Sequence, residues 1–234
     1  MTSRAGVVAT VACTMSLGRV TPASIGPVTW DEVVARYATV MDYTARYEKQ
    51  ELAISSGEMQ HIRLSFRRPL DVRLEWLDEK GKVDQVAVYR EGFNDGKLIV
   101  RRTGKLGSLI GTVRLDPRDS RALQESRHPI TEVGLGYIVG RLEQDSRRGL
   151  ISLGRVVEEQ LDGEPVDRFE FDAPSGASPV GVPGARRVIV RIDRATRLPA
   201  EVDVLDAGNR ALERHRFRDV HVNVGLADAV FALP

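Results

Sequence analysis

Between residues 59 and 102, apolar and polar residues alternate in three successive runs that are separated by turn sequences. Side chains on a strand point alternately to opposite faces, so each run has one apolar face and one polar face. In the first two runs the apolar positions are Ile62, Leu64, Phe66, Leu70, Val72, Leu74 and Trp76. In the third run we assign the apolar face to Val86 and Val88. The alternation predicts an antiparallel sheet with one buried face and one solvated face.

Further runs of strand length lie on both sides of this region and are punctuated by short turns. One strand is predicted from Thr44 to Ala53, and several more follow residue 150. The later strands are joined by turn sequences such as Asp162-Gly163 and Gly208-Asn209. In total the pattern predicts about ten strands that follow one another as a meander.

A helix is predicted before the first strand. Thr29 and Glu32 have the spacing of a capping box, which marks a helix N-terminus. Apolar residues then recur at helical intervals from Trp30 to Met41 and form one apolar stripe. The helix is predicted to end near Tyr43.

A second helix is predicted from a cap at Thr131 to about Arg147, and its apolar side consists of Val133, Leu135, Ile138, Val139 and Leu142. About ten strands with one apolar face need a cover, and an open twisted sheet of that width tends to curl. The expected fold class is therefore α+β over residues 29–234, as one domain. We expect a curved antiparallel sheet, an incomplete β-barrel, of about ten strands with two helices on its concave face.

Composition and charge exclude several classes of function. The chain has 234 residues, with 34 Lys and Arg against 33 Asp and Glu, and both signs are mixed along the sequence. This even distribution of charge, with an aromatic content of 6%, does not support binding to nucleic acid. The single cysteine rules out an internal disulfide framework and a cysteine-rich zinc site.

The N-terminal residues have the pattern of an export signal, because Arg4 precedes an apolar run of small residues. One possibility is that an ordinary signal peptide is cleaved near residues 21–23, where small residues lie. The alternative is a lipobox ending at Cys13, which would become lipidated, although Thr10 stands where Leu is usual. We expect residues 1–28 to be this signal and a linker, and the protein to be in the periplasm or cell envelope, with or without a lipid anchor. A terminus without a targeting role is the remaining alternative.

No sequence motif identifies a catalytic, cofactor or metal site. The spacing of the glycines from Gly134 to Gly140 is one residue too long for the dinucleotide-binding motif G-x-G-x-x-G, and these glycines follow a predicted helix start where the motif needs a strand. Both departures favour glycines that let helices pack closely. None of the four histidines has a ligand-type partner at i, i+4 spacing. We therefore predict no enzymatic activity, no cofactor and no metal. The alternative to a non-catalytic protein is a lipid or cell-wall hydrolase that acts through residues near His128. A role of His128 in fixing the loop before Pro129 is the simpler explanation of this residue.

Several segments resemble the bacterial domain-of-unknown-function family 1571. The matching segments are residues 68–76, 89–92, 115–117 and 127–131, together with Gly134-Leu135. That family has no established molecular function, so the resemblance implies no catalytic residue. More remotely, the order of elements is similar to that of the periplasmic lipoprotein-localisation carriers, which have a LolA-like fold. That resemblance implies an incomplete barrel around helices, with a hydrophobic cavity for acyl chains.

These expectations favour a non-catalytic protein that binds lipid, or the acyl chains of lipoproteins, in an apolar cavity outside the cytoplasm. The predicted ligand-binding residues are Ile62, Leu64, Phe66, Val72, Leu74, Trp76, Val86 and Val88, with Trp30 and Met41 closing the site from the helix. The same alternation of apolar and polar residues would also occur if the core were completely packed and held no cavity. The alternative is therefore a protein-interaction or envelope-sensing module with a filled core and an envelope protein as partner. In either case the N-terminus can provide membrane association.

Overall fold

The computed structural model describes residues 26–52, 57–103, 111–124, 126–174 and 176–233. Within these ranges the helices are α1 (Trp30–Ala38) and α2 (Leu135–Arg147). The strands are β1 (Asp42–Glu51), β2 (Gln60–Arg67), β3 (Asp71–Leu77), β4 (Val83–Arg90), β5 (Leu98–Arg102), β6 (Thr112–Leu115), β7 (Ser152–Leu161), β8 (Glu164–Asp172), β9 (Ala185–Asp193), β10 (Leu198–Asp206) and β11 (Ala211–Val222). Short 3-10 helices occupy residues 94–96, 130–132, 179–181 and 228–231.

All eleven described strands form one antiparallel sheet in the order β6-β5-β4-β3-β2-β1-β11-β10-β9-β8-β7. Two meanders therefore meet at the centre, where β1 pairs with β11, and β6 and β7 form the two edges. Residues 116–124 and 126–134, the described part of what we term the crossing segment, lead from edge strand β6 towards α2. The edges do not pair with each other in the described sheet, so the predicted α+β fold with an open sheet is confirmed, with eleven strands instead of about ten.

One face of the sheet, the inner face, carries the main hydrophobic core. Val33 of α1 and Leu142 of α2 are fully buried in this core together with sheet residues such as Tyr43 and Phe169. Both helices therefore bury their apolar sides against the inner face, as the helical spacing of these positions requires. The face opposite is the outer face.

The prediction that Val86 and Val88 face inward is wrong. Ala87, which lies between them, belongs to the main core. Val86 and Val88 instead pack with Phe231 in a separate, smaller cluster on the outer face. The three consecutive residues are all apolar, so a period of two cannot distinguish the faces of β4.

Helix α1 begins as predicted but ends earlier. The backbone N–H of Thr29 donates to Glu32 Oε2 (2.8 Å), and that of Glu32 donates to Thr29 Oγ1 (3.3 Å), which is the capping box. The predicted end near Tyr43 is wrong, because the helix ends at Ala38 and Tyr43 is buried in β1. The guanidinium of Arg68 donates to two carbonyl oxygens at this end, which satisfies acceptors that a helix terminus leaves free.

Helix α2 ends at Arg147 as predicted, but it begins at Leu135 and not after Thr131. Thr131 lies in a short 3-10 helix, and Gly134 occupies the N-cap position with a φ of 95°. The hydroxyl of Tyr43 accepts the Leu135 N–H at 3.0 Å and occupies the place that a Cβ on Gly134 would take. The helix start thus requires glycine for both its left-handed backbone and this close approach.

The predicted export segment lies almost entirely outside the described residues, which begin at residue 26. Lipidation of Cys13 also falls outside them. Both predictions, and the prediction of a single domain over residues 29–234, stay predictions. Within the part of the chain that is described, no helix is long and apolar enough to cross a membrane.

Candidate functional site

A cavity of about 160 Å³ lies between the inner face of strands β1–β6 and residues 121–133 of the crossing segment. The lining residues that are described come from neither α1 nor α2. The helices pack over other parts of the inner face: Trp30 of α1 contacts Phe169 and Phe171 on β8 at ring-centroid distances of 5.7 and 4.9 Å. The inner face is therefore covered in two ways, by helices on one side and by the crossing segment on the other.

Apolar side chains form most of the cavity wall. In register, Leu74 of β3 lies opposite Ala87 of β4, and Ala87 lies opposite Val100 of β5. Side chains opposite each other in an antiparallel pair share a face, so these residues form a row across the sheet. The small Ala87 in this row leaves space above the sheet. The apolar lining residues are Ile62, Leu74, Trp76, Ala87, Leu98, Val100, Leu115, Ala122, Ile130 and Val133.

The cavity opens to solvent at its polar end. The exposed lining residues are Arg102 at the end of β5, and Arg121 and Gln124 in the crossing segment. Gln85 lies opposite Arg102 in the sheet and accepts a hydrogen bond from its Nε at 3.2 Å. The opening is thus lined by long polar side chains, whereas the interior is apolar.

The side of the cavity nearest the sheet centre is closed by a buried ionic cluster. Two carboxylates, Glu51 on β1 and Glu213 on β11, lie directly opposite each other in the sheet and are each almost fully buried. Like charges at opposite positions destabilise a sheet unless cations compensate. The members of the cluster are Lys49, Glu51, Arg127, His128, Glu213 and His215, with the hydroxyls of Tyr47 and Ser126.

Glu213 is bound by both histidines and an arginine. His128 Nε2 lies 2.9 Å from Glu213 Oε2, and His215 Nε2 lies 3.3 Å from the same oxygen. Arg127 Nε lies 3.1 Å from Glu213 Oε1, an ion-pair distance. His215 is itself held by the Tyr47 hydroxyl, 2.8 Å from its Nδ1. These contacts fasten the crossing segment to β11.

Glu51 fastens the same segment to β1. The backbone N–H of Arg127 donates to Glu51 Oε2 at 2.6 Å, and the Ser126 hydroxyl donates to Oε1 at 3.2 Å. Lys49 Nζ lies 3.1 Å from Glu51 Oε1 and reaches it from the same strand. The wall of the cavity at this side is therefore an electrostatic clamp between the two central strands and the segment that covers the cavity.

The cluster shifts the pKa of two members in opposite directions. Burial by itself lowers the pKa of His128, but the hydrogen bond to Glu213 and the charges of Glu213, Glu51 and Glu132 outweigh burial and raise it above its ordinary value. Burial by itself raises the pKa of Glu213, but hydrogen bonds from His128 and His215 outweigh burial and lower it to about 2. The arrangement therefore favours an ionised Glu213 beside a protonated His128.

The structure brings only part of the predicted ligand-binding set together. Three residues line the cavity, namely Ile62, Leu74 and Trp76. Three others lie in the main core without lining the cavity, namely Leu64, Phe66 and Val72. The remaining four are placed elsewhere, namely Val86 and Val88 on the outer face, Trp30 against β8, and Met41, which is 58% exposed.

Trp30 and Met41 are separated from the cavity for different reasons. Trp30 lies on α1, whose apolar side packs on the other half of the sheet, and its indole N–H donates to Glu143 on α2 at 3.2 Å. Met41 follows the end of α1 and precedes β1, so it has no helical face to share with Trp30. The prediction that these two residues close the site is therefore wrong in its geometry. Ligand binding by Ile62, Leu74 and Trp76 stays a prediction.

Sequence patterns missed most of the cover of the cavity, although Val133 was predicted as an apolar residue of the second helix. Residues 121–133 have no regular apolar period, and their position depends on the route of the crossing segment between distant elements. On β5 the signal was present, because Leu98, Val100 and Arg102 occupy one face by simple alternation. Nothing in the sequence distinguished Ala87, which lies between Val86 and Val88, as a residue of the inner face.

A second depression lies on the outer face. It is an open groove of about 570 Å³ between residues 229–233 and the outer sides of β1–β3 and β11. Its lining combines apolar side chains such as Val230 and Leu233 with His221 and the charged residues Arg46, Arg63, Arg73, Glu75 and Asp219. The groove has charged residues of both signs and an open shape, and these two properties distinguish it from the inner cavity.

Fold and site together define a class of protein: an open antiparallel sheet that holds a small apolar cavity under a clamped segment. The described residues contain no group of three or more His, Cys, Asp or Glu placed to hold a metal ion. The sequence matches the family described as Protein of unknown function (DUF1571) over residues 40–233. The chain belongs to this family, and the predicted membership is confirmed.

Solved structures are similar to this chain to different degrees, all at low sequence identity. MucB matches with 17% identity and a TM-score of 0.51 over 89% of this chain, which spans 65% of the MucB chain. An uncharacterized conserved protein from Thermus thermophilus matches with 12% identity and a TM-score of 0.51, over 87% of this chain and 93% of that one. A LolA superfamily protein from Nitrosomonas europaea also matches, with 8% identity and a TM-score of 0.33, over 88% and 98% of the two chains. Among curated proteins, none matches this chain.

Proposed function

We propose that this protein is a non-catalytic binding protein for lipid, or for the acyl chain of a lipoprotein, and that the inner cavity holds the chain. One observation carries the proposal: apolar side chains from five strands and the crossing segment converge on an unfilled space that opens at a polar end. Ligand sites of this type are concave and mostly apolar, with a few polar groups at defined positions.

The energetics of packing support a ligand. Protein interiors are normally filled, and an apolar cavity costs free energy because its lining loses van der Waals contacts. Each methylene group that enters such a space gains about 0.8 kcal/mol from leaving water. A cavity held open between Leu74, Ala87 and Val100 is therefore a suitable place for part of a hydrocarbon chain. A longer chain would need the crossing segment to move or would extend through the opening.

The contacts of the buried cluster support a non-catalytic role for His128. Its Nε2 contacts Glu213 at 2.9 Å, and its Nδ1 lies 3.7 Å from Glu132. The nearby Ser126 hydroxyl contacts Glu51 and the backbone of His128, not the imidazole ring. A nucleophile–base pair of the Ser–His type needs a direct contact between hydroxyl and imidazole. We therefore assign His128 to the clamp that holds the crossing segment.

We further propose that the protein acts outside the cytoplasm, in the periplasm or cell envelope. Arg4 and the apolar run that follows it support export. An acyl-chain ligand suits this location, because lipids and lipoproteins are abundant at envelope membranes. If Cys13 is lipidated, the protein is anchored at the membrane that supplies its ligand. Mass measurement of the mature protein from a native-like host distinguishes cleavage, lipidation and an intact terminus.

A matched pair of substitutions tests the cavity. Val100→Trp places a large side chain in the cavity from its wall, and we expect it to reduce affinity for a fluorescent fatty-acid probe by tenfold or more while the protein stays folded. Val156→Trp makes the same substitution at an exposed position on β7 and serves as the control. Probe fluorescence is titrated for the wild type and both variants, and circular dichroism confirms their folding.

The expected result is binding by the wild type and by Val156→Trp, with strong loss only in Val100→Trp. A probe that binds all three proteins equally would place the ligand outside the cavity. If the probe does not bind the wild type, and organic extracts of the purified protein contain no lipid, the binding proposal fails.

The second candidate function is a protein-interaction or envelope-sensing module. The outer groove favours it, because its charged lining and open shape suit an extended peptide segment of a partner. The two candidates separate experimentally. A partner in the groove would be lost on reversing charge at Arg63 and Arg73, whereas Val100→Trp would leave that partner bound.

A further inference from the structure

The charged side chains that directly line the cavity are all of one sign, because Glu51 and Glu213 of the clamp are not among the described lining residues. Lys49, Arg102 and Arg121 line it, and no aspartate or glutamate is among the described lining residues. The chain as a whole has 33 acidic and 34 basic residues, so a lining with three cations and no carboxylate departs from its overall balance. Clefts with one sign of charge and low-dielectric walls attract ligands of the opposite sign.

The three cations differ in how their charge is compensated. Lys49 lies 3.1 Å from Glu51, and Arg121 lies 3.0 Å from Asp119. Arg102 contacts Gln85, a neutral side chain, and no described carboxylate lies within ion-pair distance of it. Among the described lining residues, Arg102 is therefore the cation whose charge a ligand can complement.

Strand β5 connects this cation to the apolar interior. Its inner-face residues change from the buried Leu98 through the half-buried Val100 to the exposed Arg102. The strand thus presents apolar side chains at depth and a guanidinium at the opening. Four residues of strand span about 13 Å at about 3.3 Å per residue. This gradient matches a molecule with a hydrocarbon chain at one end and an anionic group at the other.

We propose that the ligand is an anionic amphiphile whose carboxylate or phosphate binds the Arg102 guanidinium while its chain lies along Val100 and Leu98. Arg121 also lines the opening, but its charge is already compensated by Asp119. Guanidinium groups bind carboxylate and phosphate through paired charge-assisted hydrogen bonds, and both anions satisfy the same site. This inference rests on the proposed function, because it names the ligand class of the same cavity.

Ligands of equal chain length test it. Dodecanoate, dodecyl phosphate and dodecanol are titrated below their micelle concentrations against the wild type, Arg102→Gln and Arg114→Gln. Arg114 is an exposed arginine on the neighbouring strand β6, outside the cavity lining, so it is the matched control. We expect the wild type to bind at least one anion roughly tenfold more tightly than dodecanol, as a charge-assisted hydrogen bond supplies. The stronger of the two anions distinguishes a fatty-acid source from a phospholipid source.

Arg102→Gln should lose this preference while its affinity for dodecanol stays unchanged, and Arg114→Gln should behave as the wild type. Equal affinity of the wild type for dodecanol and both anions overturns the inference but leaves an acyl-chain site in place. A preference that survives Arg102→Gln also overturns it. If none of the three compounds binds the wild type, the proposed function fails and this inference fails with it.

Discussion

Two glycines on α2 differ in what surrounds them. A Cβ on Gly136 would overlap the ring and hydroxyl of Tyr37, so glycine here lets α1 and α2 approach closely. Gly140 lies one turn further along the same helix, and nothing lies within 4 Å of the place where its Cβ would be. The glycine-rich sequence therefore includes a packing glycine at Gly136, as its spacing predicted, whereas packing does not explain Gly140.

This difference predicts opposite effects of the same substitution. Gly136→Ala should lower the free energy of unfolding by about 1–3 kcal/mol, because overpacking against Tyr37 outweighs the gain in helix propensity. Gly140→Ala should raise it by about 0.5–1 kcal/mol, because alanine restricts the unfolded chain and nothing opposes it in the folded state. Urea denaturation of both variants measures the two values. Equal stabilisation by both substitutions would show that Tyr37 yields at no cost.

The crossing segment is the element on which the cavity depends. Its described residues have little regular secondary structure, and their polar contacts with Glu51 and Glu213 are made by Ser126, Arg127 and His128. A buried charge pair stabilises only when both partners are present, because removing one leaves an uncompensated charge. We therefore expect the cover of the cavity to depend on the ionisation of this cluster.

The pKa shifts set the pH range of that stabilisation. The pKa of His128 is raised above its ordinary 6.5, so its contribution is complete below 6.5 and is lost as pH rises through the folded-state value. The pKa of Glu213 is lowered from 4.5 to about 2, so its contribution is complete above 4.5 and is lost as pH falls towards 2. The clamp should therefore be strongest between pH 4.5 and 6.5.

Replacing His128 tests this range. His128→Ala should lower the free energy of unfolding by about 1–3 kcal/mol inside the range, and by less both above and below it. His61→Ala removes an exposed histidine from β2 and is the control. Denaturant unfolding of the wild type and both variants, measured inside this pH range and on both sides of it, gives the comparison. An effect of His128→Ala that does not change with pH would show that the charge on the imidazole does not hold the segment.

At the scale of the whole molecule, the sheet and the two helices on its inner face were predictable, and the crossing segment was not. Alternation on β2 and β3 places Ile62, Leu74 and Trp76 correctly, because each of these strands has one polar face. Alternation with a period of two does not predict the faces of β4, because Val88 packs against Phe231 from near the other end of the chain. Local pattern cannot supply contacts of this kind.

The candidate site shows the same limit. Glu51 and Glu213 face each other because β1 and β11 meet at the sheet centre, a pairing that joins the two ends of the described chain. Each glutamate alone looks like a residue on a solvated strand. The cavity and its clamp follow from topology, which determines the strands that become neighbours and the route of the crossing segment.

Photo-crosslinking shows whether an acyl chain occupies the inner cavity. A saturated fatty acid with a diazirine at the end of its chain is bound, irradiated and located by peptide mass spectrometry. We predict labelling of inner-face residues between 62 and 100 and of residues 121–133, with strong reduction in Val100→Trp. Labelling confined to the outer groove around residues 229–233, and unchanged in Val100→Trp, would contradict it.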